Sequence, residues 1–153
     1  MPPFADALAP VLAEWIVQSR DSAVAQGVEP MPDSVREMLA GYVPDEILER
    51  VRWREGGNAF TLQQGAFMFD EAPAITLDYV IVFADREAAL HDPKLWAHEI
   101  KHVMQFAEWG VPGFATRYVR DYQAVEQEAF DFRWQWMKDK NLIPAPAPAP
   151  AGP

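Results

Sequence analysis

The chain of 153 residues is half hydrophobic and 24 % charged, with six tryptophans and nine phenylalanines, a composition that demands a packed core in one domain and excludes disorder over most of its length. Its 13 Lys+Arg against 23 Asp+Glu give a formal charge of −10, the wrong sign for gripping phosphates, so nucleic acid is not an expected partner. There is no cysteine, hence no disulfide framework and no thiolate for a metal, and no apolar run approaches the ~18 residues of a membrane span. With no basic n-region before the first apolar run, the expectation is a soluble, unprocessed, cytoplasmic protein without a membrane partner.

In chain order, Phe4 to Gln26 spaces Leu8, Leu12, Trp15, Ile16 and Val17 as a helix does, with Gly27 as its stop. Pro30-Met31-Pro32 is a turn, after which Asp33 or Ser34 caps a short helix carrying Val35, Met38 and Leu39 and ended by Gly41. Pro44 opens another, through Ile47, Leu48 and Val51. Val51 to Arg54 alternates like a strand, Glu55 to Asn58 reads as a turn, and Ala59 to Phe69 fits neither period. The β-branched runs Ala74 to Leu77 and Val80 to Phe83, split by Asp78-Tyr79, predict an antiparallel hairpin.

Asp92 as N-cap and Pro93 as first helical residue then start a helix that runs to Trp109-Gly110. Trp96, Ile100, Val103, Met104 and Ala107 form its apolar side, opposite His98 and His102. Val111-Pro112-Gly113 breaks the chain, and Tyr118, Tyr122, Val125, Ala129, Phe132 and Trp136 mark a second long helix from Phe114 to about Lys138, with a kink near Asp121. The alternating Pro and Ala from Pro144 onward make neither helix nor ladder and read as an extended, disordered tail.

The first of these long helices carries His98-Glu99-Ile100-Lys101-His102. Histidines four residues apart share a helical face, so both rings reach one zinc ion; Glu99, turned about 100° round the helix, reaches a water on that ion as general base. A catalytic zinc usually takes three protein ligands and leaves one position for water. His91 reads as a surface residue before the helix. Glu126 and Glu128, each about 80° from the apolar stripe of the second helix, are the better third ligands, and the helical wheel does not choose between them. Tyr122, one turn before Glu126, is placed to donate to an oxyanion.

The segment Ala74 to Ala84, followed by Trp96-Ala-His-Glu-Ile-Lys-His-Val-Met-Gln105, resembles the eCIS core domain family, a metallopeptidase domain of the gluzincin type. The likeness covers roughly residues 32–106, continues weakly to Ala129, and has the His-Glu-x-x-His-Val-x-Gln core as its specific part. It implies a zincin-like fold, with the first residue of a Glu-x-x-Ala segment on the following helix as third zinc ligand, and Glu126-Gln127-Glu128-Ala129 matches that segment. Asp78 stands where the family often has glycine, Phe106 where a second glutamine is common, and Phe130 where gluzincins often place aspartate. The family's links to toxins and contractile injection imply a toxin or secretion-system partner.

The expected architecture is therefore α+β and zincin-like: N-terminal helices, a small antiparallel sheet and two long helices over residues 1–142, then a disordered Pro/Ala-rich tail over 143–153. His98, His102 and Glu126 hold Zn2+, Glu99 serves as base and Tyr122 assists, in a gluzincin-type metalloendopeptidase acting on a peptide or protein substrate. The alternative is a zinc-binding but catalytically inactive module for assembly or for association with a toxin or cargo.

Overall fold

The computed structural model describes residues 3–56 and 73–143. Helix α1 (Pro3–Gln26) stops at Gly27, whose φ of +107° is open to glycine at little cost. Strand β1 (Glu29–Pro30), the short helices α2 (Asp33–Leu39) and α3 (Asp45–Arg50), and strand β2 (Arg52–Glu55) follow. Both short helices begin after a proline, Pro32 and Pro44, and neither uses a side-chain cap, so Asp33 is the first helical residue and not the cap. Strands β3 (Ala74–Leu77) and β4 (Val80–Phe83) form the expected hairpin, with Asp78 in its turn at φ +61°. Helix α4 (Arg86–His91), capped by the Asp85 side chain accepting from the Ala88 N–H, was not anticipated from periodicity; six residues are too few to display one.

The sheet has four strands in the order β1-β2-β4-β3 and is mixed: β2 pairs parallel with β4, while the outer pairings are antiparallel. This corrects the expectation of an antiparallel sheet. Strand register between distant segments leaves no mark in the local alternation, and the segment joining β2 to β3, which includes the ambiguous stretch Ala59 to Phe69, lies outside the described residues. So does the tail from residue 144.

The two-residue period of the strands divides the core. Ile75, Leu77, Val80 and Val82 face α1 and pack with Ala23. Ala74, Ile81, Phe83 and Trp53 face the other way, onto a larger cluster with Leu39, Leu48, Trp96, Ile100 and Trp136. Each of the three tryptophans in this cluster is fully buried yet satisfied, because its indole N–H donates to a backbone carbonyl: Trp53 to Pro30, Trp96 to Ala89 and Trp136 to Met38.

The expected two long helices are one helical run, α5 (Pro93–Asp139), interrupted at two single residues. Asp92 caps its start by accepting from the Leu95 N–H at 3.2 Å. The first break falls at Gly110 (φ +72°, ψ 166°), a backbone region that belongs to glycine, and not at Val111-Pro112-Gly113. Pro112 then lies in the first turn of the next helical segment, where its missing N–H leaves no bond unmade. The second break is Asp121 (φ −159°, ψ 75°), whose side chain accepts from the Ala124 N–H at 3.1 Å and so caps the last segment. These breaks let 122–139 turn back against 93–109. Among the described residues no helix is long and apolar enough to cross a membrane.

Candidate metal centre

The turning back of α5 brings the predicted ligand residues to one point. His98 Nε2 and His102 Nε2 each lie 3.0 Å from Glu126 Oε1. Ligand atoms of His98, Glu99 and His102 fall within 4.8 Å of one another. The four residues are 8 %, 3 %, 4 % and 6 % exposed in the order His98, Glu99, His102, Glu126, so the polar cluster sits inside the protein and not on an open helical face. The first α5 segment is accordingly buried all round from Leu95 to Ile100, and Ala107 of the supposed apolar side is exposed.

Glu126 is held at both oxygens. Oε1 faces the two imidazoles and Oε2 accepts from the Tyr118 hydroxyl at 3.1 Å. Tyr122 is 38 % exposed, with its ring centroid 6.0 Å from that of Tyr118. Glu128 is exposed and touches the cluster only through Gln105, while His91 is on the surface beside Glu87. Thr76 of the edge strand β3 donates to the Glu99 carbonyl at 3.3 Å, fixing the helix against the sheet at the level of the cluster.

Sequence reasoning missed Gln105 and Tyr118. Gln105, 1 % exposed, has its Oε1 2.7 Å from His102 Nδ1, while its amide donates to the Val125 carbonyl at 3.1 Å and lies 3.3 Å from Glu128 Oε1. Because that amide is committed to two acceptors, its oxygen must accept from His102 Nδ1–H, which aims His102 at Glu126 through Nε2. The signal in the sequence was its position three residues beyond His102, on the same side of the helix. If the cluster takes zinc, removing this support with Gln105→Leu should weaken its binding about 10–100-fold, read by competition with a chromophoric chelator; an unchanged affinity would show that His102 needs no such partner.

His98 lacks the equivalent support. Its Nδ1 is buried, and among the described residues no hydrogen-bond partner reaches it. What stands beside the ring is Phe130, edge-on at 4.6 Å between centroids. Phe130→Asp would offer His98 Nδ1–H an acceptor, with Arg133 close by to balance the charge, and should tighten zinc binding about tenfold. The same chelator titration decides it: equal or weaker affinity removes the idea.

Burial pushes the His98 imidazole below its ordinary pKa, with the Glu126 hydrogen bond opposing. For His102 burial acts in the same sense, but the Glu126 hydrogen bond and the nearby Glu99 and Glu126 charges outweigh it and raise the pKa to about 9. Burial alone would raise the Glu126 carboxyl; its hydrogen bonds from His102 and His98 outweigh that and hold it well below the usual carboxylate range. In the metal-free protein His102 is thus a buried cation paired to Glu126. With a folded pKa above the unfolded 6.5, His102 stabilises fully below about pH 6.5, and this contribution is lost as the pH climbs through about 9. The Glu126 contribution is lost only as the pH falls below the unfolded 4.5. Protein kept in chelator should therefore show its Tm declining between pH 6.5 and 9, by an amount reflecting about 3 kcal/mol; a flat profile over that range would contradict the pairing.

The donor chemistry suits a divalent transition ion. Two imidazole nitrogens and a carboxylate oxygen converge without a thiolate, the set that zinc takes in sites retaining an open position. These features define a small α+β domain whose helix-borne His-Glu-x-x-His is met by a carboxylate from farther along the same helical run. Residues 30–110 match the eCIS core domain, and the chain belongs to that family. The matched stretch contains His98, Glu99, His102 and Gln105 and ends at Gly110; α1, Tyr118 and Glu126 lie outside it. No curated protein and no solved structure matches the chain.

Proposed function

We propose that this domain is a zinc-dependent peptide hydrolase of the gluzincin type with a zincin-like site. The observation that carries the reading is the approach of both histidine Nε2 atoms to Glu126 Oε1 at 3.0 Å, with Glu99 in the same cluster. His98, His102 and Glu126 would hold the zinc, which when bound supplies Lewis acidity toward a peptide carbonyl and acidifies a water. Glu99 takes a proton from that water and returns it to the leaving amine. Gln105 keeps the His102 Nε2 lone pair directed inward, and Tyr118 holds Glu126 by its second oxygen. Tyr122, one turn before Glu126, is the donor assigned to the developing oxyanion. Membership of the eCIS core domain family is consistent with a secretion-system partner.

The test is metal content and turnover together. Purified protein should carry one zinc by mass spectrometry, lose it in His102→Ala, and hydrolyse an unfolded protein in a chelator-sensitive manner. Protein that takes up no zinc overturns the reading. A second reading, a zinc-stabilised assembly module without turnover, is favoured by the near-complete burial of the four residues; it predicts bound zinc and no hydrolysis under any condition that keeps the fold.

A further inference from the structure

We propose that α1 is a built-in cover for the metal cleft, keeping the domain closed until α1 lifts. This rests on the metal-dependent reading above and names how that site is regulated.

The space beside His102 and Glu126 is a cavity of about 20 Å³, room for about one water and not for a peptide. Part of its wall belongs to β3 and α5, and the remainder is Leu12, Trp15 and Ile16 of α1. Among the described residues β3 is an edge strand, and on that side Leu12, Trp15 and Ile16 of α1 wall the cavity beside the cluster. The helix can do this because its 24 residues extend about 36 Å: the C-terminal half lies on the sheet through Ala23, and the N-terminal half runs on to α5.

α1 is also separable. It contributes no strand to the sheet, and it joins the rest at Gly27, around which a side chain would meet nothing within 4 Å. The family-matched residues begin only at 30, after α1 has ended. What holds it is an apolar seam of Leu12 and Ile16 against Phe106, Phe114 and Val125, the packing of Ala23 on the sheet, the Arg54 guanidinium donating to the Gly27 carbonyl at 2.7 Å, and two ion pairs. Asp6 with Arg120 at 2.7 Å is half exposed and weak. Arg20 with Asp78 at 2.8 Å is better shielded, and Asp78 occupies a left-handed backbone position that glycine would fill more easily. An aspartate kept there puts a carboxylate against α1.

The experiment uses zinc-loaded full-length chain. Leu12→Ala thins the cover beside His102 and Glu126 and Arg20→Glu turns its clamp on Asp78 into repulsion; neither residue is one of the proposed ligands. Zinc release to excess chelator and hydrolysis of unfolded casein are measured, with circular dichroism establishing the fold. Both rates should rise at least about tenfold over wild type, as for a gate that limits access. Folded variants whose rates stay within about twofold of wild type overturn the proposal, whereas protein that never binds zinc overturns the underlying metal reading instead. If the variants fail to fold, amide exchange on the wild type decides: α1 amides exchanging at least about tenfold faster than those of 95–105 support an independent opening, and equal protection overturns it.

Discussion

Glu126→Ala should abolish stoichiometric zinc and, in chelator, lower the unfolding free energy by about 3–5 kcal/mol. The size follows from what Glu126 holds. One carboxylate takes both histidines at Oε1 and Tyr118 at Oε2, inside a cluster nowhere more than 8 % exposed. Its removal takes from buried His102 the carboxylate hydrogen-bonded at Nε2, leaving only the Glu99 charge nearby, and leaves the Tyr118 hydroxyl without this acceptor. Glu128→Ala is the matched control, because Glu128 is exposed and, among the described residues, its side chain accepts a hydrogen bond from the Gln105 amide alone; it should cost less than about 0.5 kcal/mol and keep any metal. Urea melts and metal analysis on the two variants read both effects. Zinc retained by Glu126→Ala and lost by Glu128→Ala would transfer the ligand role to the other glutamate.

Glu99→Gln should separate binding from turnover. Glutamine has the shape of glutamate but cannot take a proton, so zinc content should match wild type while casein hydrolysis falls about 10²–10⁴-fold. The comparison belongs in the Leu12→Ala background, where the proposed cover is thinned and a base has substrate to act on. If Leu12→Ala hydrolyses casein and adding Glu99→Gln leaves that rate unchanged, Glu99 is not the base. If neither chain hydrolyses anything while both hold zinc, the assembly-module reading stands in place of the enzyme.

The elements that could be read from the sequence are those whose information is local. The β3/β4 hairpin is carried by β-branched runs around Asp78-Tyr79, and the start of α5 by Asp92-Pro93, whose cap is present as written. The parallel pairing of β2 with β4 was not legible, since nothing in Arg52–Glu55 records which strand it meets. The helical wheel could not rank Glu126 above Glu128 because both follow the Asp121 break in one segment and flank its apolar stripe at equal angles; which flank turns toward His98 and His102 is set by how that segment packs back on the first. The burial of the ligand side escaped for another reason: whether α1 lies over the first α5 segment is a tertiary fact. Gln105 was visible as a residue, but its role needed the Val125 carbonyl, which orients its amide and thereby its oxygen.

The folding back of α5 also bears on how such a domain assembles. His98 and His102 are 28 and 24 residues from Glu126 along the chain, so a cation joining them ties off a short loop much as a cross-link would. Closing a loop of that size in the unfolded chain removes entropy equivalent to about 3.5 kcal/mol. The donors all lie on one helical run, and can meet without waiting for distant strand pairing. α1 is synthesised first, but the α5 surface it covers is completed only once Val125 has been made. Val125 directly precedes Glu126, so the docking surface for α1 and the last of the proposed ligands emerge together, and in a nascent chain metal capture would compete with covering by α1.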